Sequence, residues 1–448
     1  MGLVKIINGF ESGDWLQSLS SGTLDEAADA AANEIISAVR REGDAAVRRY
    51  AMRFEKSAPA EFEVPIETAR MAWESLKNAE GELAAALNFA ADNIRRFAEL
   101  QKEQFKDFEA EIAPGLFTGQ RVIPVERAAV YVPAGRFPLV SSALMGLIPA
   151  AAAGVEERIL VSPPCDGGLP DQRILAAAYL AGADRIFALG GAQAIAALAL
   201  GTETIPRVDM IAGPGNKYVT AAKRLLFGEV GIDFAAGPTD VLIIADIPGD
   251  ISGTDKTAWL EKSADLIAAD MLAQAEHDPD ARARALVPDR ETAEMIERAL
   301  EKRLAALATE ETARASLKAG GLIVIYSSKE EAITIANRIA PEHLELHVAA
   351  PVEWTGGLKN YGSLFIGSAA AEALGDYSAG INHTLPTSAS ARFTGGLSVR
   401  HFLKTVTTLR CAPGKAYEQA LAAAQTIAQA EGLAGHAASA ACRRDQSS

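Results

Sequence analysis

The sequence predicts an α/β protein built on parallel sheets with helices on both faces, entered through a run of amphipathic helices. Two observations carry this. Between residues 121 and 245, short β-branched runs, glycine turns and apolar helical stretches alternate, which is the texture of repeated βαβ units. With 448 residues and 49% hydrophobic content, the chain also has material for about two to four units with sizeable cores. Ligands of such sheets are expected at the carboxyl ends of their strands.

In order, residues 1–24 read as an arm. Over residues 25–49, Ile35, Ile36, Val39, Ala46 and Val47 recur at helical spacing, and residues 83–105 repeat the pattern, so this region holds two or three helices with charged outer faces. Residues 121–133 read as a strand, 139–154 as a helix closed by a glycine, and 158–162 as the next strand. The pattern recurs as helix 172–181, strand 184–188, helix 192–201, strand 208–211, helix 217–227 and strands near Asp233 and at 241–245. A weak likeness between residues 125–165 and 205–247 fits an internal duplication, although any two βαβ units look alike. A long helix from Thr257 to His277 leads to strands 283–287 and 322–326 around helix 291–307. Helix 330–339 precedes strand 344–348, whose alternation leaves His347 on a solvated side. Strand 363–366, a long ordered polar loop at 374–387 and an Ala-rich helix from Lys415 complete the chain.

The net charge of −15 and pI near 5.0 argue against a nucleic acid or an anionic membrane as partner, and for a small-molecule substrate. Three cysteines, Cys165, Cys411 and Cys442, are widely spaced and odd in number, which excludes a disulfide framework and a thiolate zinc site and fits a reducing cytoplasm. No stretch reaches the ~18 apolar residues that a membrane span needs, and the amino terminus has no secretory pattern.

Chemistry concentrates in a few places. Gln274 and His277 stand three residues apart at a helix end before Pro279; an imidazole nitrogen and an amide oxygen on one face suit Zn²⁺, or a partner for the helix dipole. The turns at Tyr131-Val-Pro-Ala-Gly, Gly190-Gly-Ala-Gln and Gly213-Pro-Gly-Asn fall at strand ends, but none is a full dinucleotide fingerprint. Of the six histidines, 277, 343, 347, 383, 401 and 436, four lie beside acids or amides in polar interruptions of apolar segments.

Eight stretches, QAEHDPD, PEHLEL, GDYSAGINHTLPT, EGLAGH, YVPAG, GGAQAIAAL, GPGNKYVTAAK and AGPTDVLIIAD, together resemble the histidinol dehydrogenase family over about residues 25–440. The resemblance implies two Rossmann-like parallel-sheet domains with N-terminal helices and a small C-terminal helical dimerisation domain. Its boundaries would be the arm at 1–24, a discontinuous α/β domain of 25–130 and 239–396 carrying the zinc and acid–base residues, an NAD-side domain of 131–238, and a helical dimerisation segment at 397–448. It implies a homodimer with one Zn²⁺ per subunit and NAD as oxidant, taking a primary alcohol through an aldehyde to a carboxylate. Gln274, His277, Asp376 and His436 would bind zinc, Glu342 and His343 would be the acid–base pair, Thr239, His383 and Glu431 would contact substrate, and Tyr131, Gln193 and Asn216 would contact NAD. His436 and Glu431 would reach the partner subunit's site.

Adjacent Glu342 and His343 suit those roles, because an alcohol needs a base near its hydroxyl and an aldehyde needs an activated water. Departures at Ala134-Gly135-Arg136-Phe137, Thr239-Asp240 and ARFTGGLSVRHFLKTVT look like paralogues such as sulfopropanediol dehydrogenase, in which Arg136 would meet an anionic diol, 2,3-dihydroxypropane-1-sulfonate, on its way to sulfolactate. Glu431 points instead to a cationic amine, and L-histidinol is the expected substrate. A non-catalytic binding protein is the remote reading, because every catalytic position holds a competent residue.

Overall fold

The computed structural model describes residues 2–9, 25–55, 57–134, 138–235, 237–246 and 253–445. Two six-stranded sheets organise them. In the first, the order is Glu63–Val64, Arg185–Ala188, Glu157–Ser162, Arg127–Tyr131, Met210–Ala212, Gly231–Ile232, parallel except for the short antiparallel edge Glu63–Val64. In the second it is Lys5–Asn8, Leu322–Ile325, Arg282–Val287, Asp240–Ala245, His343–His347, Ser363–Ile366, parallel throughout. Leaving aside each upstream edge strand, both sheets have their strands in the order third, second, first, fourth, fifth. The structural repeat therefore starts at Arg127 and again at Asp240, whereas residues 205–247 begin at the fourth strand of the first sheet and end in the second.

Strand Arg127–Tyr131 shows why the first sheet needs cover on both sides. Ala129 and Tyr131 join the core formed with helices Glu26–Glu42, Asp44–Phe54, Gly191–Leu200 and Lys217–Leu226. Val130 joins the opposite core, formed with Ile66–Ala79, Gly81–Lys102, Val140–Ala153 and Gln172–Leu180. The N-terminal helices thus clothe the first sheet, packing their apolar faces on strands that the expected boundaries give to residues 131–238. Their apolar stripes join helices 140–226 in the two cores that bury the faces of this sheet. The arm also departs from expectation, because Lys5–Asn8 pairs in parallel with Leu322–Ile325 as an edge of the second sheet.

The segment 397–448 is not wholly helical. It includes the nine-residue strand Leu403–Cys411, antiparallel to Leu116–Pro124, which also pairs with Phe108–Ala113. Helices Lys415–Ala430 and Ala434–Asp445 follow and pack on each other. Residues 121–133 likewise divide between Leu116–Pro124 in this ribbon and Arg127–Tyr131 in the first sheet.

Phe234 follows the last strand of the first sheet, Gly231–Ile232, and Asp240 opens the central strand Asp240–Ala245 of the second. In the second sheet the candidate residues stand at the opposite end from the carboxyl-end rule: Thr239, Glu342 and His343 lie at or just before the amino ends of its strands. Among the described residues, no helix is long and apolar enough to cross a membrane.

Candidate active site

The site starts from strand register. Val241 pairs with His343 across neighbouring parallel strands, which sets Asp240 against Glu342. Each clamps the other's backbone: Asp240 N–H donates to Glu342 Oε2 at 3.1 Å, and Glu342 N–H donates to Asp240 Oδ1 at 3.2 Å. Arg284 pairs with Asp240 at 3.3 Å inside the protein. Thr239 adds the hydroxyl that donates to Glu342 Oε2 at 2.5 Å and accepts from Gln274 Nε2 at 2.9 Å. One carboxylate oxygen of Glu342 is therefore tied twice. Burial, the largest influence, raises its carboxyl to about 7 against the opposing pull of His343.

His343 is buried among carboxylates, with Nε2 at 3.4 Å from Asp376 Oδ1 and Nδ1 at 3.8 Å from Glu372 Oε1 and 4.0 Å from Glu342 Oε2. Burial works against its charge, but Glu372, Glu342 and Asp376 prevail and hold the imidazole well above its ordinary value. Burial raises the Glu372 carboxyl well above the usual range. Burial pushes Asp376 up as well, yet its bond to His343 leaves it lowered on balance. These two acids sit four residues apart on helix Glu372–Tyr377, so the stretch expected as a polar loop begins as a helical turn that aims both inward.

His383 Nδ1 lies 2.9 Å from the Asp376 carbonyl, which can only accept, and Nε2 lies 3.1 Å from Ser142 Oγ. That assigns the Nδ1–H tautomer, with Nε2 accepting from Ser142. Burial lowers its pKa, in keeping with a neutral ring.

Thr239, His277, Glu342, His343, Glu372, Asp376 and His383 line one cavity of about 190 Å³, closed on the first-sheet side by Pro214, Gly215 and Phe234. Gln274, in the last turn of helix Gly253–Ala275, is fully buried, and its Oε1 has no hydrogen-bond partner among the described residues. An orphaned amide oxygen on Gln274, whose amide nitrogen bonds the cavity residue Thr239, together with His277 and Asp376 of the cavity lining, offers the kinds of donor a Zn²⁺-class ion takes, so these residues fit a metal. Among the described residues, the compact group of histidine and acid ligand atoms at the pocket is His343, Glu372 and Asp376, which shares only Asp376 with the expected zinc set.

Other expected residues lie elsewhere. Tyr131 and Gln193 are 2% and 1% exposed and meet at the Gly190–Gly191 turn. The Tyr131 hydroxyl accepts from Gly191 N–H at 3.2 Å, and Gln193 Nε2 donates to Glu55 Oε1 at 3.3 Å. Asn216 caps helix Lys217–Leu226 through bonds from Tyr218 and Val219 N–H at 3.0 and 3.1 Å. Glu431 and His436 line a separate groove between the two C-terminal helices. Arg136 lies outside the described residues.

Sequence reasoning missed Glu372, although its i,i+4 spacing to Asp376 was available as a signal. It also misplaced His347, which is 3% exposed and sits at 3.1 Å from Glu345 Oε2, because helix Gly253–Ala275 covers that side of the strand through Asp270.

A family model described as histidinol dehydrogenase matches residues 20–444. The chain is 44% identical over 413 residues to a histidinol dehydrogenase of Methylococcus capsulatus, covering 92% of this chain and 90% of that one. It is 46% identical over 410 residues to a histidinol dehydrogenase of Thermus thermophilus, covering 92% and 93%. The crystal structure of histidinol dehydrogenase from Elizabethkingia anophelis matches with a TM-score of 0.88 at 31% identity, over 100% of this chain and 99% of that one.

Proposed function

The chain belongs to the histidinol dehydrogenase family of NAD-dependent oxidoreductases, and from that premise we propose that it oxidises L-histidinol through the aldehyde to L-histidine, reducing two NAD, with a zinc ion at Gln274, His277 and Asp376. The observation that supports this most directly is the Glu342 carboxyl, raised to about 7 with Oε2 tied down by Thr239 and Asp240, beside His343 in the same cavity. Zinc, when bound, supplies a Lewis acid that holds the substrate and eases negative charge on its oxygen. NAD supplies the hydride acceptor of both steps.

The protein's own groups handle position and protons. His343 takes the alcohol proton as hydride leaves the carbinol carbon, the role for which a histidine is suited once a cation at Asp376 offsets part of the surrounding negative charge. Glu342 takes a proton from the water that adds to the aldehyde while His343 returns its proton to the carbonyl oxygen, giving the hydrate, whose single carbinol hydride is the second of the reaction and whose two hydroxyl protons are lost to yield the carboxylate. A carboxyl raised to about 7 is a much stronger base, once ionised, than an ordinary carboxylate. Thr239 orients Glu342 and Gln274 together, and neutral His383 faces the substrate. Tyr131, Gln193 and Asn216 are the proposed NAD contacts.

We place His436 of the partner subunit in the zinc set and Glu431 of the partner subunit on the substrate amine, in a homodimer. Support comes from the exposed apolar side chains of the ribbon and tail, Phe108, Ile112, Leu409, Ile427 and Leu433, which a lone chain leaves in water. The three cysteines are free, in keeping with a cytoplasmic home. An anionic diol is disfavoured, since the cavity presents Glu342, Glu372 and Asp376 and no lysine or arginine among its described lining residues.

The test is NADH formation by the zinc-loaded protein with L-histidinol and, in parallel, dihydroxypropanesulfonate. Two NADH per L-histidine formed is the expected result. Turnover of the sulfonate alone, or of neither alcohol, would refute the proposal.

A further inference from the structure

A second histidine–carboxylate group lies outside the cavity, and the chemistry above does not use it. Ligand-type atoms of Asp270, Glu345 and His347 all fall within 4.8 Å of one another. His347 Nε2 is 3.1 Å from Glu345 Oε2 and 3.6 Å from Asp270 Oδ2. The other oxygen of Glu345 accepts the backbone N–H of Glu372 at 3.0 Å.

Each bond ends on an element that also carries a residue of the site. Asp270 stands four residues before Gln274 in helix Gly253–Ala275, one turn away on the same face. Glu345 and His347 share a side of strand His343–His347 with His343 itself, by the two-residue period of a strand. Glu372 is the first residue of helix Glu372–Tyr377, which presents Asp376.

We propose that Asp270, Glu345 and His347 form a buried staple that holds these three elements in register, and that Glu345 is thereby a positioning residue for the metal site. The proposal rests on the reading of Gln274 and Asp376 as metal ligands.

Two acids beside one imidazole are a poor means of adding stability alone. Burial and the neighbouring Glu345 raise Asp270 to about 7, and well-packed apolar groups of like volume generally serve a core as well or better. What the polar group adds is direction. The helix Glu372–Tyr377 has six residues, too few to hold an orientation through its own hydrogen bonds, and Glu345 pins its first N–H. Side chains behind the ligands of a metal commonly govern affinity in this way.

The test uses the full-length protein and zinc, with affinity measured by competition against a chromogenic chelator below each variant's unfolding range, and with the visible spectrum of the cobalt(II)-loaded protein. Glu345→Ala is expected to weaken zinc binding by about 10- to 100-fold and to alter the cobalt spectrum. Glu345→Gln, whose amide oxygen still accepts the Glu372 N–H, should restore both. Asp270→Ala, a substitution that favours the helix, should weaken zinc binding by roughly tenfold, and it decides the matter alone if Glu345→Ala does not fold. Wild-type affinity in the folded alanine variants would overturn the proposal.

Amide exchange over residues 372–377, with and without zinc, separates the staple from the metal reading. Faster exchange in the alanine variants, but not in Glu345→Gln, supports the staple. Unchanged exchange overturns it. Absence of zinc binding by the wild type would instead overturn the assignment of Gln274, His277 and Asp376, and the exchange comparison would still judge Glu345.

Discussion

Replacing Glu342 by Gln should abolish most activity and, at neutral to alkaline pH, make the metal-free protein more stable. Burial raises the Glu342 carboxyl from 4.5 to about 7. Below pH 4.5 both the folded and the unfolded chain keep the proton, so nothing is lost. Between 4.5 and about 7 the unfolded chain ionises while the folded chain does not, so stability falls as pH rises, and it levels off above 7. At about 1.4 kcal/mol per pH unit, that window amounts to a penalty of about 3 kcal/mol by pH 8. Glutamine keeps an oxygen for the Thr239 hydroxyl and the Asp240 N–H and has no proton to lose, which removes the penalty. The assay is thermal unfolding of chelator-treated wild type and Glu342→Gln from pH 5 to pH 8, paired with kcat of the zinc-loaded forms. The Tm difference should widen in the variant's favour as pH rises, while kcat drops by roughly 10²- to 10⁴-fold, the usual contribution of a general base. A variant less stable than wild type at pH 8, or a Tm difference independent of pH, would refute the reasoning, and an unchanged kcat would remove Glu342 from the chemistry.

Three further outcomes follow from the structure. Gly146→Ala should destabilise by about 1–3 kcal/mol in denaturant unfolding, because a Cβ there would stand 2.3 Å from Val130 Cγ1 and 2.7 Å from Val130 Cγ2 in a fully packed helix–sheet layer; a neutral effect would show that Val130 can yield. Metal analysis should find zinc lost from His277→Ala and from Asp376→Asn, and stoichiometric zinc in both would sink the ligand assignment. Truncation after Gln419 should cost dimerisation, zinc affinity and activity together, as read by sedimentation, chelator competition and NADH formation, whereas an active truncated monomer would refute the shared site.

Much of the fold could be read from periodicity, and the misses have separate causes. Strands of the two parallel sheets are short apolar runs bounded by glycine turns, so Arg185–Ala188, Arg282–Val287 and Leu322–Ile325 fall within a residue or two of where the pattern puts them. Strand Leu403–Cys411 escaped because eight of its nine residues are exposed, which leaves neither alternation nor an apolar run to detect. Assignment of the N-terminal helices failed for a different reason. An amphipathic stripe says that a helix needs a core, but not which of two sheets with the same strand order provides it.

The site divides along the same line. Motif identity singled out Glu342, His343, Asp376 and His277, and the structure gathers all four around one cavity. Glu345 and His347 were passed over because alternation with Leu344 and Leu346 looks the same whether the polar side faces water or a covering helix. The sheet order decides between these. His343–His347 lies between Asp240–Ala245 and Ser363–Ile366, away from both edges of a parallel sheet, where both faces are normally buried. A polar row on such a strand cannot be a solvated face, and ionisable groups in that position are seldom tolerated without partners or a task. Once the order of strands is known, His343, Glu345 and His347 therefore read as a single buried row, with the His343 end opening on the cavity and the other end tied to Asp270 on the helix that carries Gln274.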